Sequence, residues 1–161
     1  MQAIEKRYAI LIRASSSLQS PFLLAVRLYW GWQFHVTGSG KLHDISKPID
    51  YFTSLGIPAS AANAWFITLL EFIGGFLLVI GLASRPVALL LVCDMIVAYI
   101  VADREALMSI FRDPDKFYAA APYTFLFASL IVLIFGPGRF SFDAWIAARR
   151  RKTEDVTRAH R

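Results

Sequence analysis

The fold is decided by residues 61–82, AANAWFITLLEFIGGFLLVIGL, and by the turn and second apolar stretch that follow them. A helix rises about 1.5 Å per residue, so about 22 residues are enough to cross a hydrocarbon core of about 30 Å. The turn at residues 83–86, ASRP, is too short to lead anywhere but back. Residues 87–102 are therefore predicted to return antiparallel as a second membrane helix, giving a tight hairpin.

Two more apolar blocks predict two more membrane spans. Ser20 and Pro21 form a helix-start signal before residues 22–36, and the glycines and lysine at residues 38–41 close that block. Asp113 and Pro114 form a similar signal before residues 117–135, which end at the Gly-Pro-Gly run of residues 136–138. Between the first two spans, the apolar residues of 48–55 have the spacing of a short amphipathic surface helix.

The expected fold is therefore an all-α membrane protein, a four-transmembrane-helix bundle with that surface helix between helices 1 and 2. Its expected domains are an N-terminal cytoplasmic segment (1–19), the membrane domain (20–138) and a basic amphipathic cytoplasmic tail (139–161). The composition agrees, since 57% of the residues are hydrophobic and 18% are charged, more apolar than soluble domains of this size.

The net charge of +5 comes from basic residues concentrated near the two termini, outside the apolar blocks. This placement is explained by membrane orientation without invoking nucleic acid, and it predicts a membrane protein with both termini in the cytoplasm. The single cysteine, Cys93, excludes an intramolecular disulfide and is expected to be a small buried residue. No two of the three histidines share a transmembrane face, so neither haem nor a metal is expected.

Three ionisable residues, Arg27, Glu71 and Asp94, lie inside apolar blocks, where a charge costs about 2.5 to 3.5 kcal/mol. Similar depths predict an Arg27–Glu71 ion pair, with Asp94 sharing the arginine or protonated. Gly31, Gly74 and Gly75 are spaced to let helices approach closely beside these charges. Lys41 shares the Arg27 face and belongs to the predicted polar centre. With His43 and Asp44 it forms a polar cluster just outside the first span, and these three are expected to be solvated loop residues.

Two interpretations of this centre stay open. The charges either specify which helices pack together, or they line a cavity for a ligand or a proton path.

The order of these features resembles the DoxX family of small bacterial membrane proteins, which is related to the DoxD subunit of thiosulfate:quinone oxidoreductase. The resemblance rests on Arg27 with Gly31 and Phe34, and on the runs at residues 38–42, 52–58, 71–75, 81–85 and 136–143. It implies a four-helix inner-membrane protein associated with redox or sulfur metabolism and oxidative-stress complexes, usually without an established reaction of its own.

The resemblance and the buried charges together lead to a first hypothesis: a subunit or accessory of a quinone-linked complex that binds a quinone or similar lipid-soluble molecule, or a redox partner, around the Arg27 and Glu71 centre. The lipid bilayer is the expected surrounding, while redox-complex partner proteins and a homo-oligomer are left open. The alternatives are a scaffold or assembly protein without a ligand, and a small proton-coupled transporter.

Overall fold

The computed structural model describes residues 2–159, and the side chains of these except at positions 2–7, 10, 14 and 154–159. Met1, His160 and Arg161, which belong to the predicted terminal segments, lie outside the described residues. The described chain is all helical. Its helices are α1 (Gln2–His43), α2 (Ser46–Ser54), α3 (Ser60–Ile80), α4 (Ser84–Val101), α5 (Arg104–Met108), α6 (Pro114–Ala119), α7 (Pro122–Phe135) and α8 (Phe142–Ala159).

Four helices form a ring around one apolar core. The second half of α1 packs on α3 and α7, and α4 packs on the same two helices. Core side chains come from all four, and include Phe34, Leu78, Leu91 and Val132. The α3–α4 hairpin is present as predicted, because Gly81 ends α3 with a positive φ of 73° that glycine adopts without strain.

The outward faces of the same four helices carry large apolar side chains. Trp32 on α1, Phe76 on α3, Val97 on α4 and Phe127 on α7 are each at least half exposed. Two of the described helices, α3 and α4, are long and apolar enough to span a membrane, and α7 is apolar but only 14 residues long. Cys93 is exposed on α4, so the prediction that it is buried is wrong.

The predicted helix start at Ser20 and Pro21 is wrong. Helix α1 is 42 residues long and runs through Pro21 to His43 without interruption. A proline inside a helix removes one backbone donor and usually kinks or ends it. Because α1 crosses residue 20, no break in the helix marks the predicted boundary between the N-terminal segment and the membrane domain. Its last turns also extend past residue 36, the predicted end of the span.

The predicted fourth span, residues 117–135, is divided between two helices. Helix α6 begins at Pro114, the predicted first-turn proline, but it ends at Ala119. Ala120 is extended, with ψ of 138°, and α7 then begins with Pro122 in its first turn. Gly136 ends α7 with a φ of 78°, which agrees with the predicted stop.

The surface helix between the first two spans is present as α2, and its last turn leads into Gly56, whose φ is 70°. None of its residues is buried. Helix α2 packs on α3, so it forms an outer wall beside the bundle rather than part of its core.

Candidate functional site

The predicted Arg27–Glu71 ion pair is not formed. Arg27 is 1% exposed and its Nη2 donates to the backbone carbonyl oxygen of Phe140. The two helices are antiparallel, and their contact brings Arg27 beside Gly81 at one end of α3, well away from the middle of that helix. Arg27 and Glu71 were predicted to meet because they lie at similar depths in their spans. That prediction failed because the register between α1 and α3 differs from the assumed one.

Lys41 takes the place that the sequence analysis gave to Arg27. Its Nζ lies 2.7 Å from both carboxylate oxygens of Glu71, and Glu71 is almost completely buried. Fourteen residues separate Arg27 and Lys41, about 21 Å along a helix. The same face of α1 thus carries two cations at two different levels, and the expectation that Lys41 lies in a solvated loop is wrong.

Asp94 forms no direct ion pair with Arg27 or Lys41. Its side chain is buried, and its Oδ2 atom has no hydrogen-bond partner among the described residues. Burying a carboxyl oxygen without a partner costs roughly 1 to 3 kcal/mol or more. Asp94 therefore has an unused capacity to form a hydrogen bond.

Lys41, Glu71 and Asp94 lie together on the wall of one cavity of about 690 Å³. This volume is typical of pockets that hold small organic molecules. We call this region the cavity end. The rest of its lining comes mainly from α2, the loop after it, α3 and α4, and is mostly apolar: Pro48, Tyr51, Phe52, Leu55, Ile57, Pro58, Ile67, Met95, Val97, Ala98 and Val101.

The predicted glycines serve close helix contact. Gly31 lies against the backbone of Gly75, and a Cβ at Gly75 would overlap the backbone of His35 on α1. Gly74 faces the other way, where an added Cβ would be 3.2 Å from Val87 on α4. The two adjacent glycines of α3 therefore allow close packing on both sides, while Glu71 lies one turn away from them.

Asp44, the third member of the predicted loop cluster, lies in the turn between α1 and α2. It accepts a hydrogen bond from the Ser46 hydroxyl, and the Lys47 ammonium lies 3.2 Å away. The Ser46 hydroxyl, followed by Lys47, holds the pKa of the Asp44 carboxyl below its usual range. Both interactions are at the start of α2, which forms a wall of the cavity.

The opposite end of the bundle is closed by the segment that follows α7, and we call it the closed end. The Asp143 carboxylate accepts hydrogen bonds from the backbone N–H groups of Ala83 (2.8 Å) and Ser84 (2.9 Å), at the start of α4. The backbone N–H of Asp143 in turn donates to the carbonyl oxygen of Gly81 at 2.9 Å. Arg27 completes this end through its bond to Phe140.

The roles of Phe140 and Asp143 at the closed end were not predicted from the sequence. Both belong to the 136–143 run on which the family resemblance rests, and the 81–85 run is the turn that they contact. Two of the quoted motifs are therefore in contact with each other. Asp143 starts α8 with an acidic group followed by an apolar stripe, a signal that predicts a helix N-terminus but not its long-range partner.

No group of three or more histidine, cysteine, aspartate or glutamate side chains suited to a metal is found within residues 2–159. The arrangement at the cavity end instead offers a carboxyl oxygen, a lysine ammonium and an apolar enclosure. Such a set binds an apolar molecule that carries a few oxygen atoms.

The chain is 29% identical over 123 residues to a protein of Bacillus subtilis (strain 168) named "Putative oxidoreductase CatD", and the match covers 76% of this chain and 85% of that protein. No solved structure matches the chain. The DoxX family profile matches residues 22–104, which include both Arg27 and the three ionisable residues of the cavity end. The chain belongs to the DoxX family.

Proposed function

We propose that this chain is a four-span inner-membrane protein that binds a quinone or similar ring molecule at the cavity end, as a subunit or accessory of a redox complex. The observation that carries the proposal is the cavity of about 690 Å³, apolar over most of its lining and polar where Lys41, Glu71 and Asp94 meet. A quinone has the same division, since its ring and tail are apolar and its two oxygens are polar.

The four spans are supported by the outward faces of the bundle. A soluble protein rarely exposes a continuous apolar surface on every side, whereas lipid requires one. Residues 22–43 of α1 would rise about 33 Å, enough to cross. Helix α7 alone would rise only about 21 Å, so α6 completes the fourth crossing at one membrane surface.

The orientation follows from the basic residues. With the N-terminus in the cytoplasm, the closed end and α8 face the cytoplasm together with Arg85, Arg139 and the run Arg149–Lys152. The cavity end then faces outward, and α2 lies along the outer surface of the membrane. A ligand dissolved in the bilayer would enter beside α2, whose exposed Tyr51 lies at the cavity wall.

The redox assignment is supported by the family and by the name of the Bacillus subtilis relative, which is described as an oxidoreductase. In this proposal the chain binds and positions a redox-active molecule for a partner protein. The Lys41–Glu71 pair would hold the cavity wall in place, and Lys41 retains one N–H for a ligand oxygen.

The test is to purify the full chain in mild detergent and to measure the quinone that is extracted with it, relative to detergent and lipid alone. An Ala98→Trp variant fills the cavity, because Ala98 lines it. The matched control is Cys93→Trp, which places the same side chain on the exposed face of α4.

We expect an excess of quinone in the wild type and in Cys93→Trp, and about background in Ala98→Trp. Thermal unfolding in the same detergent establishes that the variants remain folded. Quinone at background in every preparation, or an excess that survives Ala98→Trp, contradicts the proposal.

A scaffold role is a second candidate, favoured by the first half of α1. The described side chains of residues 8–19 are exposed, and this part of the helix lies beyond the four-helix core. Deleting these residues should release a partner protein from the purified complex while leaving bound quinone unchanged. If quinone is absent and the partner is lost, the scaffold is the better explanation.

A further inference from the structure

Of the described residues that line the cavity, Asp94 alone has a buried side-chain polar atom without a hydrogen-bond partner. Lys41 directs two contacts of 2.7 Å to the two oxygens of Glu71, so these two charges satisfy each other. Asp94 lines the same cavity, with Oδ2 buried and unpartnered. An acceptor in this position favours a ligand that brings a hydrogen-bond donor.

Two other polar side chains of the cavity wall, those of Asn63 and Lys47, are already engaged. The Asn63 side-chain amide donates to the carbonyl oxygen of Pro58 at 2.7 Å. Lys47 reaches Asp44 outside the cavity, at 3.2 Å. These two side chains therefore do not supply the donor that Asp94 lacks.

We propose that the cavity end selects the reduced, dihydroxy form of a ring molecule, with one ring hydroxyl donating to Asp94 and the second ring oxygen accepting from the remaining N–H of Lys41. This inference rests on the proposed function and adds to it which form of the ring is bound. The oxidised quinone presents two carbonyl oxygens, which accept hydrogen bonds but donate none. In this proposal Asp94 is ionised, so a quinone carbonyl beside its carboxylate would leave two acceptors facing each other.

The same geometry gives Asp94 a role that a packing residue would not have. A site built around a hydrogen bond to a hydroxyl discriminates strongly against an analogue that lacks it, because the buried acceptor is left unpaired. Replacing the carboxylate by an amide of the same size supplies a donor as well as an acceptor. That exchange is expected to change which form is preferred, and not only how tightly it binds.

The experiment compares three probes on the full chain in lipid nanodiscs, under anaerobic conditions: trimethylhydroquinone, its dimethyl ether and trimethylquinone. Saturable binding is measured by calorimetry, with empty nanodiscs subtracted. The variants are Asp94→Leu and Asp94→Asn, and Cys93→Ala is the control on the neighbouring, outward position.

We expect the wild type and Cys93→Ala to bind the hydroquinone at least about tenfold more tightly than the dimethyl ether. In Asp94→Leu the two affinities should lie within about twofold of each other, and in Asp94→Asn the affinity for the quinone should rise about fivefold or more. These results together support recognition of a hydroxyl by Asp94.

Equal binding of all three probes by the wild type overturns the hydroxyl selection but leaves ring binding, and so the proposed function, intact. A preference for the hydroquinone that persists in Asp94→Leu also overturns the inference. If no probe binds saturably to the wild type, the proposed function fails together with the inference.

Discussion

The two ends of the helix bundle contrast in how they treat buried charge. At the closed end, Arg27 and Asp143 reach backbone groups of distant segments, and the chain that follows α7 fills the space between them. The Nε and Nη1 atoms of Arg27 are buried there without a hydrogen-bond partner among the described residues. At the cavity end, Lys41 and Glu71 form a side-chain pair, Asp94 has an unpartnered oxygen, and an opening of about 690 Å³ remains. The two ends therefore differ in the space beside their buried charges, which is filled at the closed end and open at the cavity end.

A matched pair of glycines makes the contrast testable. Gly81 at the closed end and Gly56 at the cavity end have almost the same backbone conformation, with φ of 73° and 70°. A Cβ at Gly81 would overlap the Arg27 guanidinium and Ser141, whereas nothing lies within 4 Å of a Cβ at Gly56. The backbone strain is thus common to both sites, and the packing is not.

The largest effect is expected for Gly81→Ala. Left-handed backbone at alanine costs about 1 to 2 kcal/mol, and displacing the buried Arg27 adds to that, for a total loss of about 3 kcal/mol or more. The control Gly56→Ala should lose only about 1 kcal/mol. The measurement is the free energy of unfolding in detergent. Equal losses at the two glycines would mean that the closed end is not tightly packed.

Breaking the ion pair at the cavity end should have the next largest effect. Lys41→Met leaves the Glu71 carboxylate buried without its partner, and we expect a loss of about 2 kcal/mol in unfolding free energy, since Lys41 is one-third exposed. Adding Glu71→Gln removes the stranded charge and should recover most of the loss.

A double-mutant cycle in the same detergent gives the coupling between the two residues. Additive losses would show that the pair contributes nothing to folding. Restored stability without restored quinone binding would separate the structural role of the pair from its role in the cavity.

The long apolar blocks made the helices of the hairpin predictable. Residues 61–82 and 87–102 are apolar over enough length to predict two membrane helices, and Gly81 marks the end of the first helix. The surface helix followed equally from the spacing of residues 48–55 and the glycine after it. Local patterns of this kind depend on neighbouring residues, which a sequence displays directly.

The partners of the buried charges were not predictable in the same way. The face shared by Arg27 and Lys41 was evident, but which of them meets Glu71 depends on the register of α1 against α3. That register is fixed by the contacts of Gly31 with Gly75 and of Gly38 with Phe72, which belong to different helices. The hydrogen bond from the backbone N–H of Ser84 to the Asp143 carboxylate joins residues 59 positions apart, and no local pattern in the sequence indicates it.

Removing the cap at the closed end should have a moderate effect. Asp143→Ala leaves the backbone N–H groups of Ala83 and Ser84 without their acceptor, and loss of a helix cap costs about 1 kcal/mol. Faster hydrogen exchange at the start of α4 is expected, with ligand binding at the cavity end unchanged. If the free energy of binding at the cavity end falls by as much as the free energy of unfolding, the two ends are coupled. They could then no longer be treated as separate regions.

The smallest effect is expected at the turn that leads into α2. Ser46→Ala removes the hydroxyl that donates to Asp44, so the pKa of the Asp44 carboxyl should rise towards its ordinary value. A carboxyl whose pKa is depressed by folding stabilises the folded state above its unfolded pKa, and that contribution disappears as the pH falls through the folded pKa. The variant should therefore match the wild type in acid and be slightly less stable at neutral pH. Carboxyl-detected NMR titration of Asp44 measures the shift, and Ser54→Ala, at the other end of α2, is the control. An Asp44 pKa that does not move in Ser46→Ala would mean that this turn does not fix the start of the cavity wall.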